Sequence, residues 1–176
     1  MNDYLSQIPT MTDGDQIIFN AIEFPQANDL RKVLALCDCF DGEPKTAEEI
    51  AGFLSMVPRE GSYYGLAACS LRVARKRESA EGSYYELTSL GESWVAGDSD
   101  RKQSVMIERT LDSPHVKYVG YRLGESIPLS IPCPQSMLNL DTVAAALTSL
   151  PKLGAVTQSR RASTIVSWMR TLNSLR

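Results

Sequence analysis

Histidine is nearly missing from this chain. The single His115 follows Pro114 in a polar stretch with no partner pattern, so neither a catalytic nor a metal role is assigned to it. The four cysteines, Cys37, Cys39, Cys69 and Cys133, form no Cys-x-x-Cys pair, which leaves zinc spacing unmet. Cys37 and Cys39 point to different faces of a helix and Cys69 sits in an apolar helical stretch, so the thiols are expected to be reduced and partly buried. There is no apolar run of about eighteen residues. The stretch from Met1 to Gln16 carries Asp3, Asp13 and Asp15 instead of a basic region followed by an apolar one, so a cytoplasmic protein with no membrane contact is expected. No phosphate-cradling glycine loop, HExxH or nucleophile beside a histidine occurs, and no catalytic residue, metal or cofactor is expected.

What is present is a core and an uneven charge. Hydrophobic residues make up 43% of the 176, enough for one ordinary domain or two small ones. The net charge of −3 argues by itself against a nucleic-acid partner. Placement along the chain argues the other way. Arg59, Arg72, Arg75, Lys76 and Arg77 face only Glu60 over 59–77, and Lys152, Arg160, Arg161, Arg170 and Arg176 face no acid at all from Thr142 to the end. Two basic islands in an acidic body suit a protein that meets phosphate with chosen surfaces.

The pattern of elements gives these islands a context. Residues 1–27 read as an arm with one short β-like run, Gln16 to Phe19. Asn28 can cap a first helix carrying Leu30, Val33, Leu34 and Leu36 and ending near Phe40-Asp41-Gly42. Thr46 and Glu49 form a capping box that opens a second helix, Ala47 to Met56. Pro58 ends it, and a third helix is expected from about Ser62 to Leu71. Then Leu71–Lys76, the turn Ser79-Ala80-Glu81-Gly82 and the run Ser83-Tyr84-Tyr85-Glu86-Leu87 predict a β-hairpin. A helix with Trp94 follows, and Gly97 to Asp100 marks a break. Beyond it, helices are expected at about 101–111, 116–123 and from Leu140 to Leu147 or Leu150, separated by a proline-rich extended loop over 124–134. A long amphipathic helix from Gln158 to Leu175 closes the chain.

The fold expected is therefore mainly α with small β-hairpin wings (α+β), as two tandem winged-helix or helix-turn-helix units: an arm over 1–27, a first unit over 28–98 and a second over 99–176. In such folds the helix before the wing enters the major groove. Arg59 can grip guanine O6 and N7, while Ser62 and Tyr63 suit phosphate oxygens, although one of Tyr63 and Tyr64 is expected in the core. Arg75, Lys76 and Arg77 are expected at the wing's tip. In the last helix Thr157 or Ser159 would act as cap, Gln158 could read adenine, and Arg160, Arg161 and Thr164 would project from the helix start. Ile165, Trp168, Met169 and Leu172 form the stripe that seats this helix. Arginines at a helix N-terminus oppose the macrodipole at a cost of up to about 1 kcal/mol, which bound phosphate would offset.

The sequence is similar to a group of tandem winged-helix modules fused to, or encoded near, prokaryotic type II restriction endonucleases. The likeness rests on Phe24-Pro25 with Asn28 to Leu34, on Arg59-Glu60-Gly61-Ser62-Tyr63-Tyr64 with Ala67-Ala68, on Tyr85 to Thr88 with Leu90-Gly91, and on Ser159 to Thr164 with Ser167-Trp168. It implies recognition of a short duplex site without cleavage. One departure stands out: Leu71-Arg72-Val73 occupies the place where the group has Leu-Gly-Leu. Losing that glycine removes the easy left-handed cap and turns attention to Arg72 as a further DNA-facing residue.

The leading expectation is thus a sequence-specific double-stranded DNA-binding module of a restriction-modification or transcription-regulating system, with a nuclease partner or domain and a homodimer as further possibilities. A protein-protein assembly subunit is the alternative, favoured by the acidic total and the apolar, proline-rich Ile127 to Leu138. A metal-dependent nuclease would need Asp38 and Glu43-Pro44-Lys45 on paired strands, whereas the pattern puts them around a helix end and a turn.

Overall fold

A computed structural model describes residues 25–80, 82–126, 129–148 and 154–175. The run at 16–19 and all of the expected arm before residue 25 lie outside them. The first helix, α1 (Leu30–Ala35), is capped by Asp29, whose carboxylate accepts from the Lys32 amide at 3.1 Å. The cap falls one residue later than expected because Asn28 is engaged elsewhere: its side-chain oxygen accepts from the Thr164 hydroxyl at 2.7 Å. A 3-10 turn over Leu36–Cys39 continues α1 and buries Leu36, Cys37 and Cys39.

Strand β1 (Lys45–Thr46) leads directly into α2 (Ala47–Phe53). The expected capping box is present, with Glu49 N–H donating to the Thr46 hydroxyl at 3.3 Å and the Thr46 amide donating back to the Glu49 carboxylate at 2.8 Å. The next helix, α3 (Pro58–Ser70), begins four residues before its expected start. Proline does not break the chain here; at the first helical position its missing N–H would have had no partner in any case. The Glu60 carboxylate accepts from the Val57 amide at 3.4 Å, so Arg59 lies in the first turn of α3.

Two glycines let α3 settle deeply. A Cβ on Gly61 would stand 1.8 Å from the Ala47 carbonyl oxygen, and one on Gly65 would stand 2.6 Å from the Tyr85 ring. After α3 come β2 (Ala74–Ser79) and β3 (Gly82–Leu87), antiparallel, with β3 in the centre of a three-stranded sheet of order β1-β3-β2. The hairpin is displaced from its expected first strand by three residues, since Leu71 to Val73 are spent in closing the helix. Helix α4 (Ser89–Val95) carries Trp94, as expected, with its side chain buried, and is capped by Thr88.

Asp98 caps α5 (Ser99–Asp112), and Pro114 opens α6 (Pro114–Arg122). After the proline-rich stretch come α7 (Gln135–Leu138), α8 (Leu140–Ala146) and α9 (Ala155–Asn173). Among the described residues the second half holds no strand, so a hairpin occurs in the first half alone. The whole is mainly helical with one small antiparallel sheet.

Buried side chains of both halves form one continuous apolar cluster, running from Leu30, Leu34 and Ile50 through Tyr85 to Val116, Met137, Ile165 and Trp168. The Trp168 indole N–H donates to the Ala27 carbonyl at 2.8 Å, which gives a fully buried donor its required acceptor. Among the described residues no helix is long and apolar enough to cross a membrane.

Candidate nucleic-acid interface

Helix α3 sorts its residues by spacing. Gly61, Tyr64, Gly65 and Ala68 turn inward, which settles Tyr64 as the core tyrosine of the adjacent pair. Arg59 is exposed, with Ser62 and Tyr63 half-buried beside it. The Arg59 guanidinium stands 5.5 Å from the Tyr63 ring centroid and its Nε donates to the Tyr63 hydroxyl. That contact holds a long, flexible cation in one orientation at the helix start and restricts its rotamers. The Ser62 carbonyl accepts from Tyr85 at 3.5 Å, tying this turn to the sheet.

The hairpin cations are not at its closed end, where Ser79 pairs with Gly82; Arg75, Lys76 and Arg77 lie in the body of β2. Strand alternation divides them. Arg75 and Arg77 share one face with Tyr84 and Glu86, and Lys76 belongs to the other, with Tyr85. Arg75 lies directly across from Glu86 in register. Both arginines donate through Nε to the same oxygen, Glu86 Oε1, Arg77 at 2.7 Å. Hydrogen bonds from Arg77 and Arg75 hold the Glu86 carboxyl below the usual range for glutamate. Lys76 pairs with Glu78 at 2.6 Å.

Arg72 keeps the left-handed conformation that glycine would adopt more easily, with φ of 62°. Its amide donates to Cys69 O at 2.9 Å and the Val73 amide to Ala68 O at 3.1 Å, the two bonds of a Schellman ending. The helix thus closes on a left-handed residue before the hairpin without a glycine. The Arg72 guanidinium turns toward α5 and pairs with Asp112 at 3.6 Å; Asp112 also meets Lys117 and Arg109. Like the bond from Thr164 to Asn28, this contact of Arg72 joins the two halves of the chain.

The C-terminal group divides sharply. Helix α9 starts at Ala155 with Gly154 in the cap position, so Thr157 and Ser159 are helical residues and not caps. Arg160 and Arg161 then lie in the second turn, beyond the reach of the dipole cost considered above. Ser159 and Arg160 are exposed and Gln158 is half-buried. Arg161 is only 5% exposed and Thr164 is fully buried, its hydroxyl bonded to Asn28 and to the Arg160 carbonyl. Neither can meet a duplex in this arrangement. Successive helical residues point about 100° apart, and α9 buries a wide face that includes Arg161, Ala162, Ile165 and Trp168.

Around Arg161 the chemistry is that of an interior. Burial lowers the Arg161 pKa and brings His115 down to about 3, with the Arg161 charge adding to the effect, so His115 is neutral. Tyr63 of α3 lies within electrostatic reach of Arg161, which places the start of α3 near this turn of α9. Burial also pushes the Cys37 and Cys39 thiols up to about 12 and 11, and all four cysteines are free. Among the described residues no three His, Cys, Asp or Glu side chains gather to hold a metal ion, Asp38 and Glu43 included.

Two participants escaped sequence reasoning. Glu86 was legible only as a strand residue, because its role depends on the register of β2 against β3. Tyr84 joins the outward face beside the two arginines for the same reason.

Residues 32–176 match the profile of a family described as Domain of unknown function (DUF7226). No curated protein and no solved structure matches the chain.

Proposed function

Starting from a chain that belongs to the DUF7226 family, we propose a non-catalytic module that binds double-stranded DNA through a winged helix, as the recognition part of a restriction-modification system or as a small transcriptional regulator. The reading is supported by the order of elements: a helix, a short strand, two helices and a hairpin, with β3 between β1 and β2. In that plan α3 is the reading helix and the hairpin is the wing.

The observation that carries the proposal is the exposed Arg59, steadied on Tyr63 at the start of α3, with Arg75 and Arg77 on the outward hairpin face that follows it in the chain. Arg59 has the length and fork geometry to address guanine, and the hairpin arginines suit phosphate. Ser159 and Arg160 at the start of α9 supply a second exposed polar and basic patch.

Fluorescence anisotropy with a mixed-sequence duplex tests the reading. Affinity is expected to fall steeply with salt, since each neutralised phosphate releases counterions. After selection of a preferred site, Arg59→Ala is expected to weaken binding about 5- to 100-fold and relax one base position, whereas Arg75→Ala and Arg77→Ala weaken binding to that site without relaxing any base position. Binding that ignores salt, or no binding, overturns the proposal.

A protein-binding role is favoured by one observation: Phe53 and Val57, at the turn between α2 and α3, are 50% and 61% exposed. Sedimentation of the chain alone tests whether that turn joins two copies; Phe53→Ser would then dissociate the dimer.

A further inference from the structure

We infer that Glu86 is a specificity-determining residue that restrains Arg75 and Arg77, so that the hairpin adds its grip on phosphate only after α3 has docked. The inference rests on the DNA-binding reading proposed above and concerns how that surface is kept from holding every duplex equally. Its basis is geometric. One carboxylate oxygen accepts from the Nε of both arginines, one directly across the ladder and the other a diagonal neighbour on the same face.

Charge arithmetic follows from that contact. The outward hairpin face would present two cations to passing phosphates; with Glu86 between them it presents one net charge. Non-specific attraction to DNA scales with the phosphates neutralised, so the carboxylate weakens adventitious binding. It does so without locking the arginines away. All three side chains remain solvent-accessible, at 48% for Arg75, 40% for Arg77 and 24% for Glu86, and exposed ion pairs are weak enough for a phosphate to displace. A wrong site lacks the contacts of α3 that bring phosphate close enough to compete, and specificity rises by penalising the wrong partner.

Lys76 and Glu78 provide an internal control. They form a separate ion pair in the same hairpin, on the other face of the ladder, so Glu78→Gln changes net charge as Glu86→Gln does while the bonds of Arg75 and Arg77 to Glu86 stay in place. The experiment compares the full chain, Glu86→Gln and Glu78→Gln on a non-cognate mixed duplex across a salt series, with circular dichroism to confirm folding. Glu86→Gln is expected to bind about 3- to 10-fold more tightly and with a steeper salt dependence, and Glu78→Gln to change less than 2-fold. In an Arg75→Gln/Arg77→Gln background, Glu86→Gln should add no more than Glu78→Gln does.

Equal effects of the two glutamate variants, or no effect of either on a chain that binds DNA, would overturn the role of Glu86 and leave the DNA reading standing. Failure of all three proteins to bind at any salt would sink both. Binding by Glu86→Gln alone would support both.

Discussion

The basic run from α3 into the hairpin and the basic pair in α9 are equally conspicuous along the chain, yet the fold treats them differently. In the first half the cations reach the surface: Arg59 is exposed on Tyr63, and Arg75 and Arg77 stand on an outward sheet face. In the second half the pair is split, with Arg160 outside and Arg161 sealed within. A strand offers every second residue to solvent regardless of length, whereas a long helix packed on several sides can take an arginine into its seat. A cluster of cations in sequence is thus a surface feature only where the element carrying it has a free face.

The sharpest way to break this comparison is at the glycines that fix the first half. Gly61→Ala places a methyl against the backbone of α2, and a loss of more than about 3 kcal/mol is expected. Gly154→Ala, at the start of α9 with open space around it, should cost under about 1 kcal/mol. Urea melts of the two variants decide it; similar losses would mean that the two halves are not seated differently.

Acid should act through the second half. His115 titrates near its ordinary 6.5 when unfolded but at about 3 when folded, so the unfolded chain takes up a proton that the folded one refuses. The stability this represents is complete above pH 6.5 and is lost as pH falls toward 3, at about 1.4 kcal/mol per pH unit. Chemical denaturation at pH 7 and pH 4.5 should therefore differ less in His115→Gln than in the parent protein, by between about 2 and 3 kcal/mol. An unchanged difference would remove His115 from the acid response.

Separating the arginine pair sharpens the contrast further. Arg161→Ala should lower stability by roughly 2 kcal/mol, since it empties part of the core-facing seat of α9. Arg160→Ala should leave stability within about 0.5 kcal/mol and reduce DNA affinity instead. Thermal melts paired with anisotropy separate the two. The smallest effect is expected at Arg72, where glycine would relieve the left-handed strain but forfeit the exposed pair with Asp112. A net gain of about 0.5 kcal/mol follows from those opposed contributions, and a loss would mean that the ion pair outweighs the backbone.

Local signals carried much of this fold into the sequence. Thr46-x-x-Glu49, the turn around Gly82 and the helix carrying Trp94 all depend on neighbours in the chain, and each was readable. The starts of α3 and α9 were misplaced because their cues are degenerate: Pro58 can end one helix or begin the next, and Thr157 can cap a helix or lie within it while Gly154 takes the cap. Burial of Arg161 and Thr164 was not legible at all. It depends on α9 packing against residues some 136 positions earlier, at Asn28, and spacing within a helix carries no record of a partner so distant. Sharing of Glu86 by two arginines lies between these cases, readable once the hairpin register is known.

The bonds from Trp168 to Ala27 and from Thr164 to Asn28 make the last helix a clasp fastened over the segment that leads into α1. A fragment cut after the small sheet would bare the apolar underside of α1 and strip the Ala27 carbonyl of its donor. Grafting α3 and the hairpin onto another scaffold therefore requires carrying the clasp along or repainting the surface it covers with polar residues.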